Sequence, residues 1–201
     1  YIGSYVTSGA RRTEVRGHQV IEHYPRQYAV ESDEISQIRF ALRHEPTDLR
    51  VLVGALSKID PRQLENWVRK EPTGNFSRRA WFIYEHFVGK QLDLEDAKLG
   101  NYVEALDPTR HVVGGRRNSQ RHRVIDNFLG GANLCPIIRK TTRLIEQMGM
   151  HVDEEARQLI ATFDQATLAR AVSYLYTKET RSSFAIEGEA PTTDKTERFV
   201  S

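Results

Sequence analysis

Apolar residues recur every three or four positions along most of the chain, and this spacing constrains the fold more than any other feature of the sequence. The apolar stripes occupy residues 35–42, 49–59, 64–68, 76–87, 137–148 and 168–175. Residues that favour helix starts precede three of them, namely Asp33, Asp60 with Pro61, and Pro136. The sequence therefore predicts a mainly α fold.

Further helix boundaries are marked by glycine and aspartate. Gly89 and Gly149 follow apolar stripes where a helix C-terminus prefers glycine. Asp153 and Asp164 are candidate N-caps for the last two helices. We expect the region after Cys135 to be entirely helical and its last helix to be long.

Three short segments, 20–24, 102–106 and 124–128, are candidates for edge strands. The second and third flank a loop rich in glycine and arginine, so we expect them to pair as a small hairpin. The predicted fold class is mainly α with a few short β-strands, including a hairpin around 102–128, and with a helical C-terminal part.

The amino-acid composition predicts a folded domain that does not interact with a membrane. Hydrophobic residues make up 39% and charged residues 28% of the 201 residues, as is ordinary for globular proteins. No apolar stretch approaches the roughly 18–20 residues that span a bilayer. The single cysteine, Cys135, excludes an internal disulfide and a multi-cysteine zinc site, and it fits a reducing cytoplasm, where we expect the protein to be located.

These patterns predict three regions. Residues 1–135 are expected to form a mostly helical N-terminal region that contains an arginine-rich loop at 107–123. Residues 136–190 are expected to be helical, and residues 191–201 to be a linker.

The arginine-rich loop is the first candidate binding site. Residues 110–123 contain five arginines, two histidines and no acid, although the whole chain has a formal net charge of only +2. Guanidinium groups bind phosphate well, so the loop can contact ATP, nucleic acid or another partner. The candidate contact residues are Arg116, Arg117, Arg121 and Arg123. We favour the alternative that these arginines pair with nearby acids at the surface.

Motifs of catalysis are missing from the chain. It has no glycine-rich phosphate loop, no dinucleotide-binding Gly-x-Gly-x-x-Gly, and no His-Glu-x-x-His zinc motif, so we name no catalytic residue and no metal site. His86 is expected to be a hydrogen-bonded structural histidine. Cys135 is expected to be a small buried residue, although a helix start at Pro136 would activate its thiol.

Residues 32–70 are compatible with a helix-turn-helix reader of nucleic acid. The candidate recognition helix, 61–70, combines Arg62, Arg69 and Lys70 with Glu65. Alternating charges suit a polyanion poorly, so nucleic acid is not the favoured partner.

A second candidate site lies near the C-terminus, in residues 183–188. Ser183 and Glu187 are four positions apart and therefore share one helical face. Gly188 follows directly, as a helix C-terminus prefers. A carboxylate at this helix end can form a bidentate pair with the guanidinium of a partner.

This stretch resembles the inhibitory helix of Fic-family proteins, whose signature is Ser/Thr-x-x-x-Glu-Gly/Asn. The sequence upstream is similar to the N-terminal region of one large bacterial Fic group. That similarity rests on residues 72–85, 100–108, 121–127 and 135–139, and the whole resemblance spans residues 70 to 190.

The resemblance implies the autoinhibitory region of a protein AMP-transferase. Fic enzymes transfer AMP from ATP to a protein hydroxyl through the loop His-x-Phe-x-Asp/Glu-Gly-Asn-Gly-Arg-x-x-Arg, which is absent here. The stretch His111-Val-Val-Gly-Gly-Arg116 lacks the Phe and Asn of that loop and has the wrong spacing. No cofactor is therefore expected in this chain. ATP and Mg²⁺ are expected in a Fic core, toward which residues 191–201 would lead.

The resemblance also assigns roles to three residues. Glu187 would pair with the final arginine of the catalytic loop, which otherwise holds the γ-phosphate of ATP, so that ATP is misaligned for transfer. Ser183 would help to fix the helix, and Gly188 would let the chain turn away.

The expected partners are a Fic core, in cis or in trans, and a target protein. Two alternatives remain open. The chain can be a non-enzymatic helical module that binds nucleic acid, or a separate antitoxin-like subunit that inhibits a Fic protein in trans.

Overall fold

Helices dominate the structure, as the sequence predicts. A computed structural model describes residues 2–17, 19–150 and 152–186, which form a mainly α fold with two three-stranded sheets. The chain divides into two compact units between Lys140 and Thr141.

The first sheet lies at the N-terminus. Its strands are β1 (Ile2–Thr7), β2 (Arg12–Arg16) and β3 (Gln19–Pro25). β3 is central, parallel to β1 and antiparallel to β2. Arg16 pairs with Gln19, and Gly17 has the left-handed φ of 59° that suits so short a turn. The segment 20–24 is a strand, but its predicted edge position is wrong, because two strands without a strong sequence signal flank it.

Four helices follow this sheet. They are α1 (Glu34–His44), α2 (Leu49–Leu56), α3 (Pro61–Lys70) and α4 (Asn75–Ile83). Asp33, Asp48 and Asp60 each accept a backbone N–H at the start of one of the first three helices. α4 continues into a π-helical turn at Tyr84–Val88 and stops at Gly89, whose φ is 73°.

The second sheet corrects the predicted hairpin. Its strands are β4 (Val103–Glu104), β5 (Arg117–Ser119) and β6 (Val124–Asp126). The segments 102–106 and 124–128 do pair, but in parallel, and β6 forms its antiparallel pair with β5. The segment 124–128 is therefore the central strand of this sheet, and its predicted edge position is wrong. The arginine-rich loop supplies the long crossover that a parallel pair needs. The side-chain amide of Asn127 accepts from the N–H of Leu106 and donates to its carbonyl, which fixes this arrangement.

The core of the first unit forms where the four helices meet the second sheet. Fully buried side chains come from α2, α3, α4 and β6, and they include Leu56, Leu64, Ile83 and Val124. Both tryptophans of the chain, Trp67 and Trp81, lie in this core. Their fluorescence therefore reports the folding of the first unit.

The segment after Cys135 is extended, so the prediction that Pro136 opens a helix is wrong. The N–H of Val112 donates to the carbonyl of Ile138 at 2.9 Å, and that of Lys140 donates to the carbonyl of Arg110 at 2.8 Å. This pairing with the arginine-rich loop satisfies backbone groups that a helix would otherwise bond internally. The helix begins only at Thr142.

Three helices form the described part of the second unit: α5 (Thr142–Gly149), α6 (Val152–Ile160) and α7 (Gln165–Ile186). Asp164 caps α7 by accepting the N–H of Thr167 at 2.9 Å, as predicted. Asp153 lies within the first turn of α6 rather than before it. None of the described helices is both long and apolar enough to cross a membrane.

Candidate functional site

α7 carries the beginning of the C-terminal motif. It continues for 22 residues, from Gln165 to Ile186, and Ser183 lies in its last described turn with an exposed side chain. Glu187 and Gly188 lie outside the described residues. The serine of the predicted motif is thus on a helix that continues to the residue directly before Glu187.

The helices of the second unit present apolar side chains that the unit does not bury. Leu168, Val172, Leu175 and Ile186 lie on one face of α7 by their spacing, and Ile186 is 87% exposed. Among residues 141–150 and 152–180, none is buried. We call the following residues the uncovered apolar surface: Ile145, Met148, Leu159, Ile160, Phe163, Val172, Leu175 and Ile186. Amphipathic helices of this kind gain most of their stability by packing against something else.

The arginine-rich loop is the second candidate site, and each of its five arginines has a partner within the first unit. Four form ion pairs with carboxylates, and the fifth donates to a backbone carbonyl. The pairs are Arg110 with Asp107, Arg116 with Glu104, Arg117 with Asp126, Arg121 with Glu85, and Arg123 with the carbonyl of Gly100. The loop therefore follows the favoured alternative, in which its arginines pair with nearby acids.

Glu85, in the π-helical turn after α4, is the centre of the most buried of these pairs, with a side chain 12% exposed. Its carboxylate accepts Nε and Nη2 of Arg121 and Nε2 of His122, each at 2.9 Å. The indole N–H of Trp81 donates to it at 2.7 Å, and the backbone N–H of Leu92 at 3.0 Å. Five donors leave this carboxylate without a free site for a ligand.

The electrostatics of Glu85 indicate an anchor rather than a proton-transfer group. Burial alone would raise the pKa of its carboxyl, but the hydrogen bonds from His122 and Arg121 outweigh burial and hold the pKa far below its ordinary value. The carboxylate is therefore ionised at neutral pH. It fastens the arginine-rich loop to the end of α4.

The four arginines named as candidate contacts differ in accessibility. Arg121 is only 20% exposed and is held by Glu85, while the guanidinium of Arg123 donates to a backbone carbonyl. Arg116 and Arg117 are 63% and 74% exposed, and each has a single carboxylate partner. Of the four, Arg116 and Arg117 are therefore the arginines with guanidinium groups accessible to a partner.

Several side chains of the candidate recognition helix α3 already make contacts within the first unit. Its Leu64, Trp67 and Val68 are buried in the core. Arg69 is bound by Glu65 and by the backbone carbonyl of Asp93. This arrangement gives little support to a helix-turn-helix reader, because a recognition helix needs a free polar face for the groove.

His86 and Cys135 differ from their predicted environments. The ring of His86 packs against Phe82 and Phe87, and its buried Nε2 has no hydrogen-bond partner among the described residues, so packing replaces the predicted hydrogen bond. Cys135 is half-buried, and burial raises the pKa of its thiol. Because no helix starts at Pro136, nothing there activates the thiol. Across the described residues, no three potential metal ligands cluster.

The buried polar groups of α4 were not among the predicted site residues. Arg78 and Arg79 are buried and donate to backbone carbonyls, and burial lowers the pKa of Arg79 to about 10. Adjacent arginines inside the apolar stripe 76–87 were the available signal. The spacing of Trp81 and Glu85, four residues apart, was the signal for the carboxylate anchor.

The chain matches no protein-family model, and comparisons with curated proteins and with solved structures give no significant match.

Proposed function

We propose that this chain is the regulatory region of a Fic-type protein AMP-transferase and that α7 is its inhibitory helix. One observation carries the proposal: α7 remains helical through Ser183 to the residue before Glu187, and no residue of its unit at 141–150 or 152–180 is buried. An inhibitory helix needs both features, because its motif must be presented at a helix end and its body must pack against the domain that it controls.

The uncovered apolar surface favours a folded partner for this unit. Burying one large aliphatic side chain contributes roughly 1.5–3 kcal/mol. Covering Val172 and Leu175, which are 48% and 56% exposed, would therefore stabilise α7 considerably. A Fic core, in cis or in trans, is the partner that we propose.

The inhibitory chemistry would belong to Glu187. When ATP and Mg²⁺ are bound to the core, they supply the AMP that is transferred to a hydroxyl group of a target protein. A carboxylate at the end of α7 would pair with the guanidinium that otherwise holds the γ-phosphate. Ser183, one turn earlier on the same face, would help to position that helix end. Because phosphoryl-type transfer depends on alignment, this pairing would suppress the reaction without altering the catalytic residues.

The experiment measures AMP transfer from α-labelled ATP by the protein that contains this chain, together with its Fic core. We expect Glu187→Ala to raise the rate of transfer by about tenfold to a hundredfold. This is the range expected for the loss of one charge-assisted hydrogen-bonded pair of about 1.5–3 kcal/mol.

The matched control is Glu179→Ala, which removes an exposed carboxylate two turns earlier on α7. We expect this control to leave the rate unchanged. An unchanged rate in Glu187→Ala, or an equal increase in both variants, would contradict the proposal. Whether the core lies in the same polypeptide or in a second subunit separates action in cis from action in trans.

A further inference from the structure

The first unit contains a cavity of about 790 Å³, a size within the range of binding sites in proteins. α1 and α2 form one side of this cavity, the extended segment 135–139 contributes another, and Gly3 and Ser4 of β1 complete the wall. Aliphatic side chains line much of it: Ile38, Leu42, Leu49, Leu52 and Ile137. The cavity therefore lies between a β-strand and a pair of helices, and its wall suits apolar side chains.

The wall formed by the extended segment is held by backbone pairing. Cys135, Ile137 and Arg139 alternate along it, so they share one face, and all three line the cavity. A β-bridge between His111, which also lines the cavity, and Arg139 holds this segment against the arginine-rich loop. The register of that bridge decides which side chains face the cavity.

A smaller cavity of about 200 Å³ continues the large one along β1, and the residues that line both are Ser4, Gln37, Phe40 and Glu45. Val6 lines the smaller cavity and lies on the same face of the sheet as Ser4, two positions away. Tyr24, opposite Val6 in β3, packs on Phe40 of α1 with 5.1 Å between the ring centroids. This face of the sheet therefore lies over α1, and the two cavities form one groove that follows β1.

The outer edge of β1 has unpaired backbone groups. Among the described residues, β1 pairs only with β3, and residues 3–7 make no other hydrogen bond between backbone groups. An edge strand of this kind presents a row of N–H and C=O groups to a further strand. Tyr5 and Val6 are exposed, so this part of the strand can be reached from solvent.

The two edges of this sheet differ in charge. β2, at the other edge, contains Arg12, Glu14 and Arg16. Charged side chains on an edge strand oppose pairing with another chain. β1 contains neither a charged residue nor a proline from Ile2 to Thr7. β1 is therefore the edge that is suited to accept a further strand.

The charges that line the groove favour an acidic residue on its occupant. Arg50 and Arg139 are exposed, and neither forms an ion pair with another described residue. Glu45 is the one acid of the wall whose carboxylate has no bond to a described residue, since Asp48 accepts the N–H of Val51 as the cap of α2. Unpaired guanidinium groups thus outnumber unpaired carboxylates.

We propose that the first unit binds an extended peptide segment of a partner protein, which adds to β1 as a fourth strand of the sheet. Main-chain hydrogen bonds to β1 hold the peptide, and every second side chain points into the groove, where aliphatic residues fit. An acidic residue beside this stretch lies near Arg50 or Arg139. This inference does not rest on the proposed regulatory function, because every residue that lines the groove belongs to the first unit.

The test measures the fluorescence anisotropy of a labelled peptide, Asp-Ser-Val-Thr-Val-Thr-Val-Ser, as the full chain is added. We expect saturable binding at concentrations below about 1 mM. The matched control peptide begins with Lys instead of Asp and should bind at least about three times less tightly, because it meets Arg50 and Arg139. The absence of saturable binding, or binding of the Lys peptide that is equally tight or tighter, would overturn the proposal.

Methylation of the peptide backbone distinguishes strand addition from simple apolar contact. Successive N–H groups of a strand point to opposite sides. Methylating the N–H groups of the valines, or those of the residues between them, therefore alters one side of the peptide only. One of these two peptides should bind at least about tenfold less tightly than the parent, because its hydrogen bonds to β1 are lost, and the other within about threefold of it. Equal effects of both methylations would contradict strand addition.

Hydrogen exchange and one variant locate the peptide. Binding should slow amide exchange in residues 3–7 of β1 at least about fivefold and leave residues 12–16 of β2 unchanged. Ala55→Phe adds a ring at an exposed position that lines the cavity and should weaken binding at least about tenfold. Ala171→Phe, at an exposed position of α7, is the control and should leave binding unchanged.

Three results would refute this location. They are slower exchange in β2 instead of β1, full binding by Ala55→Phe, and a dimer of the free protein in which β1 is already protected. The last result would assign the edge of β1 to a second copy of this chain.

Discussion

Replacing Glu85 by glutamine tests whether the buried carboxylate holds the first unit together. The substitution keeps the shape of the side chain, removes its charge, and puts an NH₂ group where an oxygen accepted from Arg121 or His122. The guanidinium of Arg121 keeps an ion pair with Asp96, whose side chain is 67% exposed. A largely buried cation thus loses its best partner.

The magnitude follows from the hydrogen bonds that change. A hydrogen bond to a charged group contributes about 1.5–3 kcal/mol, and two of those at Glu85 are lost or weakened in the variant. His122 recovers part of this loss by changing tautomer, because Ser119 Oγ, 2.7 Å from its Nδ1, can accept as well as donate. We expect Glu85→Gln to lower the free energy of unfolding by about 2–4 kcal/mol at pH 7.

The assay is urea unfolding followed by tryptophan fluorescence, since both tryptophans lie in the core of this unit. Glu95→Gln, which removes an exposed partner of Lys98, is the control and should not move the urea midpoint.

The contribution of Glu85 to stability should depend on pH. Because the pKa of Glu85 is lowered on folding, the stability that its carboxylate contributes is fully present above the unfolded carboxyl pKa of about 4.3 and is lost as the pH falls through the folded pKa. The difference in free energy of unfolding between wild type and Glu85→Gln should therefore become smaller at acid pH. A loss below about 1 kcal/mol at pH 7, or a gap that widens in acid, would refute this account.

Two further predictions use local geometry. A Cβ at Gly114 would lie 2.5 Å from the carbonyl oxygen of Phe128, whereas a Cβ at Gly115 would meet nothing within 4 Å. Gly114→Ala should therefore lower the urea midpoint by an amount equivalent to about 1–3 kcal/mol, and an equal effect of Gly115→Ala would contradict this reasoning. Because burial raises the pKa of the Cys135 thiol, its alkylation by iodoacetamide at pH 7.5 should be slower than that of free cysteine. Mass spectrometry of the native protein measures that rate, and a rate equal to or above that of free cysteine would show the reasoning to be wrong.

The helices of the first unit were predictable because their signals are local. Asp33 and Asp60 satisfy backbone N–H groups within three residues of themselves, and Gly89 adopts the left-handed conformation that ends a helix. Such interactions involve residues that are close together in sequence, so one short segment of the chain is enough to predict them. The same holds for α7 and its cap, Asp164.

The candidate sites were predictable only in part. Spacing predicts that Ser183 lies on a helix, as the structure has it, while the inhibitory role of Glu187 remains a proposal. The clustering of arginines was visible in the sequence, but their partners were not. Arg121 and Glu85 are 36 positions apart, and only folding brings their charged groups to 2.9 Å.

Local sequence signals set where α1, α3 and α7 begin and where α5 and the turn after α4 end, because caps, glycines and the 3.6-residue period act over a single turn. Tertiary structure alone decided the parallel pairing of β4 with β6, the extended path of 136–140 and the cavity beside His111. Each of these depends on hydrogen bonds between groups far apart along the chain, and a backbone segment takes the partner that satisfies its donors and acceptors whatever its local preference.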